Sequence, residues 1–76
     1  MVERYANKNG DSPIVRYEIG PDWIRVEYDD GRLYRYDRAS SGSAHIRQMR
    51  RLAREGVGLS TYISRHVREH YAGRER

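Results

Sequence analysis

Trp23-Ile24-Arg25-Val26-Glu27-Tyr28-Asp29-Asp30-Gly31-Arg32-Leu33-Tyr34-Arg35-Tyr36 is the stretch that decides the fold. Ile24, Val26 and Tyr28 alternate with polar partners, the period-two pattern of a half-buried strand, and Asp30-Gly31 supplies a turn between two such strands. A tight turn places one residue at positive φ, where a Cβ is penalised, so glycine belongs there. Two registers fit this hairpin. A two-residue Asp30-Gly31 loop pairs Tyr28 with Leu33 and Val26 with Arg35, leaving Tyr34 and Tyr36 beside Trp23 and Arg25. A three-residue Asp29-Asp30-Gly31 loop pairs Val26 with Tyr34 and Ile24 with Tyr36. One residue of slip exchanges the two faces of the hairpin. The second register gathers five apolar side chains and no arginine on one face, and it is the expected one. It puts Tyr34 and Tyr36 in the core and turns Trp23, Arg25 and Arg35 outward.

Upstream, Ile14 to Ile19 alternates, with Val15, Tyr17 and Ile19 on one face and Arg16 and Glu18 on the other. Gly20-Pro21-Asp22 closes that strand with a turn, so a three-stranded antiparallel meander is predicted near 14–19, 23–29 and 32–37. Residues 1–11 show no periodicity and read as a disordered tail. Downstream, Ala39-Ser40-Ser41-Gly42-Ser43 reads as a loop ending in an N-cap serine. From 44 to 55 the period becomes helical, with Ile46, Met49, Leu52 and Ala53 on one side. Gly56-Val57-Gly58 stops that helix. A second, near 60–71, carries Leu59, Ile63, Val67 and Tyr71 on its apolar face, and 73–76 form a charged tail. The expected class is α+β in the order β-β-β-α-α, one domain over 12–72, with the helices on one face of the sheet.

The chain has 76 residues, no cysteine and a formal net charge of +4. A chain this short buries only about 60% of its unfolded surface, which favours a homodimer. The lack of cysteine fits a reducing compartment. No apolar run reaches the length of a membrane span or a signal-peptide core, so a cytoplasmic protein is expected. The charge is unevenly placed. Residues 1–37 hold six Lys+Arg against eight Asp+Glu, and residues 38–76 hold nine against three. Fourteen of the fifteen basic residues are arginine, whose planar fork suits phosphates and carboxylates.

Ser12-Pro13-Ile14 together with Ile24 to Tyr36 resembles the lysyl-tRNA-synthetase C-terminal-type (KTSC) domain family, whose central tyrosine-x-tyrosine is matched by Tyr34 and Tyr36. The family's ending, an aromatic pair followed by asparagine-x-histidine-isoleucine-arginine and a later tyrosine, is resembled by Tyr62-Ile63-Ser64-Arg65-His66-Val67-Arg68-Glu69-His70-Tyr71. Ser64 stands where the family has asparagine, and the segment between Tyr36 and Tyr62 is longer than the family's. The resemblance implies a stand-alone bacterial domain of this fold, and RNA binding is the activity it suggests. Nothing carries over from it to the arginines of the middle helix.

Those arginines are the strongest functional signal. Arg47, Arg50, Arg51 and Arg54 stand at i, i+3, i+4 and i+7, a single cationic stripe, and Glu55 is the only acid on that helix. With Arg65 or Arg68 added from the second helix, the stripe forms a field suited to nucleic-acid phosphates, duplex DNA or structured RNA. The alternative is a protein adaptor whose same arginine face docks on acidic partners. His66-Val-Arg-Glu69-His70 has the H-x-x-E-H spacing of a zinc peptidase, but no third ligand accompanies it, so two histidines flanking the apolar stripe are expected. Ala53 precedes Gly56 by three positions, one residue short for a helix-turn-helix, so an ordinary break between packed helices is expected. No nucleophile–base pair, carboxylate pair or phosphate-cradling glycine loop stands out. No enzyme activity, cofactor or small-molecule substrate is expected.

Overall fold

The computed structural model describes residues 1–76. Its centre is the expected meander: β2 (Ile14–Ile19), β3 (Trp23–Tyr28) and β4 (Leu33–Asp37), all antiparallel. The three-residue loop is the one formed. Val26 pairs with Tyr34 and Ile24 with Tyr36, and Gly31 takes φ 92° at the turn. Asp30 secures it, its carboxylate accepting from the Arg32 amide at 3.0 Å and the Arg32 Nε at 2.7 Å. Ile24, Val26 and Tyr36 are buried and Tyr34 is half-buried. One detail of β2 differs from the expectation. A bulge between Ile14 and Arg16 leaves Val15 unpaired with β3, so Ile14 joins Tyr17 and Ile19 on the inner face in place of Val15.

Two further strands widen the sheet to five, in the order β1-β2-β3-β4-β5. β1 (Val2–Arg4) lies within the segment expected to be a disordered tail, and β5 (Gly73–Arg74) within the expected charged tail. Both are corrections. Neither strand has an amphipathic pattern; each is held by backbone pairing to an edge that β2 or β4 already provides. Those edges, which would otherwise be open to a second copy, are thus occupied by the chain's own ends. Beyond β1 the chain continues inward. The Tyr5 amide donates to the bulged Val15 carbonyl at 2.9 Å, and the buried Tyr5 hydroxyl accepts from the Leu59 amide at 3.2 Å.

The helices lie against the inner face of the sheet. α1 (Arg38–Ser41) is a single turn inside the segment expected to be a loop, closed by a capping box between Asp37 and Ser40. α2 (Ser43–Glu55) buries Ile46, Met49 and Ala53. It ends at Gly56, whose φ of 75° is left-handed and whose amide reaches the Leu52 and Ala53 carbonyls. A Cβ at Gly56 would also collide with Ala6, where the N-terminal segment crosses the break. α3 (Leu59–Tyr62) continues as a π-helical turn, Ile63–Val67, and the helix stops there instead of reaching Tyr71. Leu59, Ile63 and Val67 enter the core as expected. Tyr71 instead packs on the sheet, its ring 4.8 Å from Tyr34 and 6.4 Å from Tyr36. The chain must leave the helix to bring Gly73 and Arg74 onto β4. The Ser41 hydroxyl, donating to the His70 carbonyl at 2.6 Å, anchors that exit. No helix is long and apolar enough to cross a membrane.

Candidate nucleic-acid interface

At 100° per residue, the buried residues of α2 separate two flanks. His45 and Leu52 fall on one, and Arg50, Arg54 and Arg47 on the other, with Arg51 farthest from the core. α3 and its π turn occupy the first flank. There the His45 ring meets Tyr62 through a 2.6 Å bond between Nδ1 and the phenol oxygen, and the His66 ring lies 5.6 Å from His45. The arginine flank is therefore free of α3 and its π turn, and it faces the β2–β3 turn and the single-turn α1. Arg65 and Arg68 are exposed and make no ion pair, but they belong to the segment on the opposite flank. They do not extend the stripe.

Within the stripe the four arginines differ. Arg47 and Arg54 are exposed and form no ion pair. Arg51 reaches Glu55 at 3.6 Å, an exposed i,i+4 pair of small energetic value. Arg50 is half-buried, and its Nη1 donates to the Pro21 carbonyl at 3.2 Å, which holds it against the turn. A fifth arginine joins them that the sequence reading missed. α1 places Arg38 beside Arg47 and Arg50, and its amide is tied to the Asp22 carbonyl at 3.1 Å. The Asp37-x-x-Ser40 spacing, a capping signal, could have revealed that turn.

The outer face of the sheet arranges its charges differently. Arg16 forms a fork with Glu27, both contacts at 3.1 Å. Arg25 reaches Glu75 at 2.6 Å and Glu18 at 3.0 Å, and its guanidinium lies 5.0 Å from the centre of the Trp23 ring. Hydrogen bonds from the Met1 amino group and Arg25 hold the Glu18 carboxyl below the ordinary carboxylate range, and Arg16 does the same for Glu27. Arg35 is the exception on this face. It lies opposite Arg25 without an acid, and its Nε is a buried donor without a partner.

The tyrosines form a third cluster. Tyr28 meets Tyr34 edge-on at 5.9 Å, Tyr71 covers it at 4.8 Å, and the Arg32 and Arg74 guanidiniums approach at 6.0 and 5.9 Å. Tyr34 is thereby half-buried, with Tyr71 and two guanidiniums about its ring. Burial raises the Tyr36 and Tyr28 hydroxyls above the ordinary phenol range. His66 and His70 do not share a helical turn, because the helix ends at Val67, and no three His, Asp or Glu side chains converge as metal ligands would. The α2 flank gathers Arg38, Arg47 and Arg50 around one acidic residue, Asp22, with which none of them forms an ion pair. Compared with protein families, curated proteins and solved structures, the chain finds no match.

Proposed function

We propose that this protein binds the phosphate backbone of nucleic acid through the free flank of α2 and performs no chemistry of its own. Arg47 and Arg54 make the principal contacts, with Arg50 and Arg51 beside them and Arg65 and Arg68 at most peripheral. The observation that carries this reading is the contrast in pairing. Arg16, Arg25 and Arg76 on the sheet are matched by glutamates, whereas Arg38, Arg47, Arg50 and Arg54 form no ion pair. Guanidiniums without a carboxylate partner have most to gain from phosphate oxygens. The KTSC likeness at Tyr34-x-Tyr36 belongs to the same proposal and makes RNA a necessary probe alongside DNA.

Because phosphate contacts release counterions, affinity should fall linearly with salt on logarithmic axes, with a slope of about −0.9 per duplex phosphate neutralised. Arg47→Ala with Arg54→Ala should reduce that slope by about two units if each arginine meets one phosphate. Both side chains are exposed, so the fold should be retained. Anisotropy titrations with duplex DNA, hairpin RNA and single strands at low and moderate salt make the test. A folded double variant with unchanged affinity and slope overturns the reading and makes an acidic protein the leading partner for the same face.

A further inference from the structure

The arginine flank includes a concave site as well as an open stripe. Pro21 and Asp22 of the β2–β3 turn form one wall of a cleft of about 170 Å³, and Arg38, Ser43, Arg47 and Arg50 form the rest, over Ile46. Three arginines thus line one small volume with a single acidic residue, Asp22, which forms an ion pair with none of them. Arg50 is already held by the Pro21 carbonyl at 3.2 Å, and α1 is held by the Arg38 amide bond to Asp22 at 3.1 Å. The walls are therefore positioned before any ligand arrives.

We propose that this cleft seats one phosphate group, held by Arg38, Arg47 and Arg50 with the Ser43 hydroxyl as an additional donor. A carboxylate brings two oxygens and one charge, too few acceptors for three guanidinium forks and a hydroxyl. A phosphate brings more acceptor oxygens in a tetrahedral array and, as a monoester, nearly two charges. The open part of the stripe, Arg51 and Arg54, lies outside the cleft and would contact neighbouring phosphates. The seat rests on the nucleic-acid reading for its ligand, but its geometry stands apart from that reading. The group that meets this count is a terminal monophosphate, since an internal phosphodiester has only two non-bridging oxygens and one charge, as a carboxylate does; oligonucleotides with and without a 5′-phosphate separate the two.

The test is an NMR titration of the intact chain with inorganic phosphate, followed by the oligonucleotide pair, on the wild type, Arg38→Ala and Asp22→Asn. Phosphate should shift the signals of Asp22, Arg38, Ser43 and Arg47 and leave those of Arg16 and Arg25 in place. Arg38→Ala should reduce the salt slope of oligonucleotide binding by about one unit, and Asp22→Asn should tighten phosphate binding by removing the opposing charge. Both residues are exposed, so folding is not at stake. If oligonucleotides bind but phosphate leaves the cleft unmoved and Arg38→Ala binds as wild type, the seat is overturned while the nucleic-acid reading stands. If phosphate seats in the cleft and no oligonucleotide binds, the seat stands and the nucleic-acid reading falls.

Discussion

Arg25, on the outer face of the sheet, lies between glutamates at 2.6 and 3.0 Å, whereas Arg54, on α2, forms no ion pair. The two side chains are chemically identical, and the elements that carry them make the difference. Strand register sets a residue opposite a neighbour 7 to 50 positions away, so Glu18 and Glu75 can serve one arginine. A helix offers neighbours only three or four positions away, and α2 contains one acid, Glu55, which reaches Arg51 alone. Arginine count therefore says little about which arginines are free to meet a partner. The supply of counter-charge says more.

The largest expected effect tests the paired side. Arg25→Ala removes the partner of two carboxylates and the cover of Trp23, and should cost about 1–2 kcal/mol. For a chain of this size that lowers the unfolding midpoint by several degrees. Arg54→Ala should stay within about 0.5 kcal/mol. Equal midpoints for the two variants in thermal unfolding would erase the distinction.

A second experiment supplies the missing counter-charge. Ala44→Glu with Gln48→Glu places an acid three positions before Arg47 and before Arg51 on the exposed side of α2. Nucleic-acid affinity should fall on the order of tenfold at low salt, with helix content unchanged. Undiminished binding in anisotropy would mean that free charge is not what marks the flank.

The smallest effect is a pH dependence. Glu18 and Glu27 titrate below their ordinary range in the folded protein, so the unfolded chain takes up their protons first as pH falls. Their contribution is complete above the ordinary carboxylate range and is lost as pH drops through the lowered values. Thermal midpoints should fall on acidification from about pH 5 to pH 3, and less steeply in Glu18→Gln/Glu27→Gln. Identical slopes would show that the sheet's ion pairs do not contribute.

The register of β3 and β4 was legible because the faces differ so strongly. Placing Tyr34 and Tyr36 with Trp23 would bury arginine and expose Ile24 and Val26, and no turn geometry compensates for that. The arginine stripe of α2 was legible for the same reason, since helical period and buried residues fix its angle. Arg65 and Arg68 were not, because a helical wheel says nothing about which flank of α2 a second helix will occupy. The His45–Tyr62 contact across 17 positions settles that. Arg38 went unread because a single turn of helix is too short for periodicity to show.

Local pattern by itself determined the central meander, the α2 helix, the side on which each is apolar, and the presence of a single acid, Glu55, along α2. Tertiary structure alone decided the roles of the two ends. Val2–Arg4 and Gly73–Arg74 carry no strand signal, yet each completes an edge, because backbone donors and acceptors on an existing strand will pair with any chain brought alongside. Tyr5 becomes core and caps α3 only once β1 has placed it there. The cleft of Arg38, Arg47 and Arg50 likewise forms only when α1 and the β2–β3 turn close against α2. Charge in a sequence is additive, but concavity requires the fold.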